Sequence, residues 1–258
     1  GIGAVGPLDL KNGVILNPTN FPTEDWKNIP ISQIASDLLG FDVTLDNGAN
    51  AALLGEYWTA DSGEQLEHLL YVHTGVGLRS AMIVGGQIVY GAVDMEGAVG
   101  QMIIQADGPA PPHPSGNYGS WESYVSTYAM ENAVQSALKI GRQSILSQYV
   151  ERIEEVNYPL IEQAIKENDP LVLDIVNQTA SYFGIGLANL LNILHPQKVI
   201  LGGPLIVGND LFYQQSIKVA LSKTYHAPNY HVIFDKSQLG DDAVAVGAAA
   251  LVIRKLTD

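Results

Sequence analysis

Short apolar runs alternate with helix-periodic stretches from one end of the chain to the other, and few architectures are compatible with that alternation. Strands are expected at 13–16, 43–45, 69–73, 81–84, 88–90, 102–104, 198–201 and 231–234. Helices are expected at 32–39, 50–58, 121–139, 159–166, 171–194, 211–222 and 243–255. A chain in which the two kinds of element take turns buries its apolar faces best as helices packed on a parallel or mixed sheet, so the fold class is α/β. The stretch 171–194 is largely apolar and carries Gly184 and Gly186. A helix of that kind is central, with glycines where another part of the chain comes close. Residues 106–119 hold four prolines and three glycines and are expected to form a long loop. Loops of that length generally serve a function or descend from one that did.

The composition narrows the chemistry. The 258 residues are 47% hydrophobic, enough for a large core in one or two domains. Cys is absent, which excludes disulfides, thiolate ligation of zinc and cysteine nucleophiles. Lys and Arg number 13 against 27 Asp and Glu, a net charge of −14. A surface that acidic repels phosphate backbones and anionic lipid, so these residues are not expected to grip nucleic acid or membrane themselves. Neutral small molecules or proteins are the expected ligands. No apolar run reaches the length of a membrane span, no secretory leader is recognisable, and the expected location is cytoplasmic. Gly1-Ile2-Gly3-Ala4-Val5 reads as the end of a buried strand entering a turn at Gly6-Pro7-Leu8-Asp9, with no initiator Met before it. A fragment of a longer chain is expected.

Several segments share a recognisable pattern. Gly1 to Asp9 is similar to GIGxPGPVD, and Asn17 to Pro30, with Trp26, to PN…W…IP. Leu45-Asp46-Asn47-Gly48-Ala49-Asn50-Ala51, followed by Gly55-Glu56, is similar to ENDANAxxxGE. His73-Thr74-Gly75-Val76-Gly77 is similar to a GTGIG phosphate loop, and Gly119-Ser120-Trp121-Glu122-Ser123-Tyr124-Val125-Ser126 to GCxExYAS. Val199-Ile200-Leu201-Gly202-Gly203 and the stretch from Leu239 through Ala249 complete the series. In that order they resemble the ROK family (repressors, open reading frames and kinases), and xylose-repressor-like members most of all. The resemblance covers essentially the whole chain. It implies an actin-like ATPase (ribonuclease H-like) sugar-kinase fold, with 1–125 supplying the rest of an N-terminal lobe and its sugar cleft, and 126–258 a C-terminal lobe. It also implies an opening DxGGT hairpin and, in repressors, a winged helix, both upstream of Gly1, together with a homodimer.

Position by position, the resemblance also implies losses. Phosphoryl transfer to a sugar hydroxyl needs a positioned base and backbone loops that cradle phosphate. The family's base is the Asp of its NDAN run, and Gly48 stands there. Asp46, two residues before, would on a strand point to the same face as Gly48, and could take over the role only through a shifted backbone. The ExGH sugar contacts fall on Ala98-Val99-Gly100-Gln101. Asn47, Gln101 and Glu122 remain as sugar-contacting candidates. The family's zinc ligands become Gln101, His113, Ser115 and Ser120, a set that cannot make a closed tetrahedral N/S site. No metal and no cofactor are expected, and His113 reads as a solvent-facing loop residue.

Each remaining candidate has a purely structural reading beside the functional one. Thr74, Gly75 and Gly77 either cradle phosphate or form a tight turn between strands. Gly202 and Gly203 either face a nucleotide or let a helix pack closely. Asn47 is a ligand contact or a helix cap, and Glu122 a sugar contact or a first-turn carboxylate. His195 before Pro196 reads as a helix end, and Tyr71, Trp58 and Trp121 as core or pocket wall. The expected function is the effector domain of a transcriptional regulator, sensing a small neutral sugar or vestigial, and without kinase activity. An ATP-dependent sugar kinase and a dimeric scaffold that binds no ligand are the alternatives. DNA contact is expected only through the upstream winged helix.

Overall fold

The computed structural model describes residues 1–18, 25–60, 66–94, 97–114, 116–225 and 230–257. The first half runs β1 (Ile2–Ala4), β2 (Leu8–Asp9), β3 (Val14–Ile15), α1 (Ile31–Leu39), β4 (Leu45–Asn47), α2 (Gly48–Thr59), β5 (Leu69–Thr74), β6 (Leu78–Val84) and β7 (Gln87–Ile88). The second half runs α3 (Trp121–Tyr124), α4 (Thr127–Lys139), α5 (Tyr158–Lys166), α6 (Pro170–Leu194), β8 (Lys198–Gly202), α7 (Pro204–Val207), α8 (Asp210–Lys223), β9 (Ile233–Lys236) and α9 (Ala243–Thr257).

The central sheet has the order β7-β6-β5-β8-β9. β5, β8 and β9 run parallel, while β6 and β7 continue antiparallel from β5. It therefore joins strands from both sides of residue 126. β5 reads Leu69-Leu70-Tyr71-Val72 without polar alternation because both faces are covered. Leu70, Val72, Val199 and Leu201 pack against α4, α5, α6 and α8, whereas Leu69, Tyr71, Ala81 and Ile200 pack against α2 and α9. A separate parallel pair, β1 with β4, aligns Gly3 with Asp46 and Ala4 with Asn47.

The long apolar helix lies where the sequence puts it. Asp169 caps α6 by accepting the Val172 N–H at 2.9 Å, and Pro170 stands at its first turn. His195 ends it in the left-handed region (φ 46°). A Cβ on Gly184 would lie 2.6 Å from the Ser216 carbonyl of α8, and one on Gly186 only 2.2 Å from the Trp121 ring. The other helical layer is closer still. A Cβ on Gly247 of α9 would lie 1.6 Å from the Ala51 carbonyl of α2, and one on Gly55 2.5 Å from the Ala243 carbonyl.

Several expectations change in detail. The helix expected over 121–139 is two helices, because Ser126 is extended (φ −157°, ψ 164°) and caps α4 through its hydroxyl. The strand expected at 102–104 is a single bridge from Ile103 to Ser120. Tyr71 and Trp121 are core, whereas Trp58, near the end of α2, is half exposed and is not.

Gly186→Ala is expected to lower unfolding free energy by about 1–3 kcal/mol through overpacking against Trp121. Gly48→Ala, whose nearest contact would be 3.7 Å away, should cost no more than about 0.5 kcal/mol. Denaturant unfolding of both variants checks the pair.

Candidate functional site

The cleft begins where β4 ends. Asn47 is in extended conformation and its Oδ1 accepts the Asn50 N–H at 2.7 Å, so the chain turns from strand into helix within one residue. The strand alternation thus stops before Gly48, and Asp46 does not share a face with it as a continuing strand would require. Asp46 is instead sequestered. Its Oδ1 accepts from the Asn47 N–H (2.7 Å) and Asn50 Nδ2 (3.0 Å), and its Oδ2 from the Tyr90 hydroxyl (2.6 Å). Gly48 itself has room, since a Cβ there would meet only the Ala4 carbonyl at 3.7 Å and Arg79 Nη1 at 3.9 Å.

An open cleft of about 800 Å³ is lined by Pro7, Leu8, Asn47, Asn50, Tyr90 and Asp94, among others. Asp94 was invisible to motif reading, because it lies in an irregular stretch 47 residues from the asparagine it meets. Its Oδ1 accepts from Asn47 Nδ2 at 2.6 Å, and its Oδ2 from the Leu8 N–H at 3.0 Å. Burial pushes its carboxyl above the ordinary range, opposed by the Asn47 and Leu8 hydrogen bonds and reinforced by the charge of Asp46.

Gln101, Glu122 and His113 form a second group. Ser120 caps α3 and places Glu122 in its first turn, buried. Glu122 Oε2 accepts the Leu78 N–H at 3.0 Å, and Oε1 lies 3.5 Å from His113 Nε2. Burial raises its carboxyl, while the Leu78 hydrogen bond and the charges of His113 and Arg79 pull it back. His113 Nε2 is thus buried, contrary to the expectation of a solvent-facing residue, and faces Glu122 without a hydrogen bond to it. Gln101 Oε1 accepts the Asn117 N–H, and its carbonyl accepts Asn117 Nδ2, both at 2.9 Å. These bonds anchor the proline-rich loop. Ser115 lies outside the described residues. The others do not fit a zinc site: His113 is the sole imidazole, Ser120 Oγ is 2.6 Å from Ser123 Oγ, and the Gln101 oxygen already serves an amide.

The phosphate-loop candidates form the turn between β5 and β6. The Gly75 N–H donates to the Gly77 carbonyl (3.0 Å), and the Gly75 carbonyl accepts from the Thr127 N–H (2.9 Å). With the Leu78 N–H given to Glu122, the turn spends backbone donors internally that an anion would need. Thr74 Oγ1 is buried with no hydrogen-bond partner among the described residues. Gly203 (φ +95°) has no room for a side chain, since its Cβ would lie 2.1 Å from the Thr74 carbonyl, and a Cβ on Gly202 would lie 2.7 Å from the Tyr71 hydroxyl. Close packing of β8 against β5 therefore accounts for both glycines. The structure thus joins Asn47 to Asp94 by a direct hydrogen bond, whereas Gln101 and Glu122 bond to separate partners, Asn117 and Leu78.

A mixed sheet covered by helices on both faces, entered by a cleft at the β4–α2 junction, is the actin-like ATPase fold. A solved ROK family glucokinase from Streptomyces griseus, in complex with glucose and AMPPNP, matches 97% of this chain and 80% of its own with TM-score 0.81 and 26% identity. The chain belongs to the ROK family, whose model matches residues 1–255. It is 30% identical over 255 residues to the xylose repressor of Caldicellulosiruptor bescii, covering 98% of this chain and 62% of that protein. It is 26% identical to the glucokinase of Thermotoga maritima, covering 99% and 79%. The chain thus spans less than two thirds of the repressor it matches, and its relatives include both regulators and kinases. Among the described residues, no helix is long and apolar enough to cross a membrane.

His73, at the mouth of the turn, is pushed down to about 4, mainly by burial and secondarily by the Arg79 charge, with Asp241 opposing. The folded protein keeps this imidazole neutral where the unfolded chain protonates it. Its contribution is therefore complete above about pH 6.5 and is lost as pH falls toward 4, by at most about 3 kcal/mol. Asp94 and Glu122, with raised values, act in the opposite sense. Thermal melts of wild type and His73→Gln between pH 7 and 4.5 separate them, and the variant should lose less stability on acidification.

Proposed function

We propose that this chain is the sugar-sensing effector domain of a ROK transcriptional regulator and does not phosphorylate its ligand. The observation that carries this reading is Gly48. The position the family's kinases give to their base holds no side chain, although the space there would admit one. Asp46 is engaged with three donors and does not substitute. The phosphate turn supports the same reading, because the Gly75 and Leu78 amides are bonded within the protein. A small neutral sugar is the proposed ligand, with Asn47, Gln101 and Glu122 as its contacts. A carboxamide nitrogen has two protons, so Asn47 can serve both Asp94 and a hydroxyl. The xylose repressors lend regulation to the proposal, and the glucokinase complexed with glucose lends the ligand class. In a protein of the repressors' length, DNA contact would belong to a winged helix outside these residues. A two-fold dimer would match a palindromic operator.

A sugar kinase is the second reading, and Asp94 is the observation that favours it. A half-buried carboxylate with a raised pKa beside Asn47 has the character of a general base. Calorimetry with xylose, glucose and N-acetylhexosamines, together with coupled ADP release on the full-length protein, distinguishes the two. The regulator reading expects micromolar to millimolar binding and no turnover, and Gly48→Asp alone should still give none. Turnover by the wild type, or by that single variant, would overturn it.

A further inference from the structure

The cleft contains a carboxylate that no motif assigns, and its bonding suggests more than a structural tie. Asp94 reaches two elements remote in sequence, the turn at Leu8 and the cap residue Asn47, separated from it by 86 and 47 positions. Each of its oxygens accepts one hydrogen bond from the protein, at 3.0 and 2.6 Å. An ionised carboxylate has about four acceptor positions, so about two remain, on a side chain that lines the cleft. The two donors also fix the carboxylate plane, which pre-orients those positions at little entropic cost to a ligand. Asp46, in contrast, already accepts three bonds and is buried. Nothing comparable is available from Gly48.

We propose that Asp94 is the specificity-determining contact of the cleft, accepting hydrogen bonds from two adjacent hydroxyls of an unphosphorylated sugar ring. The inference rests on the sugar-binding reading above and adds the residue and the ligand group it selects. Vicinal hydroxyls present two O–H donors at a spacing suited to the two oxygens of one carboxylate. Hydrogen bonds to a charged acceptor are the strong ones, so loss of one should weaken binding about 10- to 100-fold.

The test is a cycle between ligand and residue. Wild type, Asp94→Asn and Asp94→Ser are titrated by calorimetry with glucose, xylose and the monodeoxy analogues of whichever sugar binds, after thermal melts confirm folding. Removing either of two neighbouring hydroxyls should weaken binding to wild type at least 10-fold, and should change binding to the variants less than about 3-fold. Equal losses in wild type and variants would overturn the proposal and reduce Asp94 to a structural tie, while leaving the sugar reading intact. Absence of any sugar binding by wild type would overturn both. Should the variants not fold, wild type carrying carboxyl-labelled aspartate decides by NMR. A sugar-induced shift of the Asp94 carboxyl resonance is expected, and an unmoved resonance at saturation would overturn the assignment.

Discussion

The geometry of the cleft depends on how α2 is held. Its outer face meets α9 at backbone-to-backbone distance, where Gly247 leaves no room for a Cβ against the Ala51 carbonyl. Beside that crossing, the buried Glu56 carboxylate at the end of the ENDANAxxxGE-like motif accepts from the Ser237 hydroxyl at 2.5 Å and from the Gln238 and Leu239 N–H groups at 3.1 and 3.0 Å. A buried charge is tolerable only when its lone pairs are met in this way. The helix that begins at the site is thus fixed at its far end by segments nearly two hundred residues later. Asn47 and Gly48 take their positions from that anchorage.

From this frame follows a site in which the protein's own groups take up much of the hydrogen-bonding capacity. Asn47 caps a helix with its oxygen and serves Asp94 with its nitrogen. Glu122 takes the Leu78 amide and lies 3.5 Å from His113 Nε2. Gln101 holds the proline-rich loop through Asn117. The loop that carries Pro109, Pro111, Pro112 and Pro114 is tied back to Gln101 by the backbone and side-chain amides of Asn117. Catalysis of phosphoryl transfer rests on donors aimed at developing charge, and a turn whose amides are bonded within the protein has fewer to offer.

Much of this was legible in the sequence, for definite reasons. The apolar run of β5 and the unrelieved apolarity of α6 reflect burial on both sides, and burial of that kind leaves a strong compositional mark. Gly184 and Gly186 marked close approaches because steric exclusion acts at the residue itself. The division between α3 and α4 was hidden, since one Ser inside a helix-compatible stretch can either point outward or cap. Asp94 was hidden for a different reason. Its partners are distant in sequence and its neighbours carry no periodicity, so only the fold brings it to Asn47. His113 was misread because loop residues are exposed by default, and the buried Glu122 that its Nε2 faces belongs to another segment.

The bond from Glu122 to Leu78 ties two regions that would otherwise respond separately. The carboxylate cannot swing toward a newcomer without releasing the first residue of β6, and the Gly75 end of the same turn is tethered to Thr127 at the head of α4. A ligand that drew Glu122 away would therefore free the start of β6, which is joined through the same turn to α4.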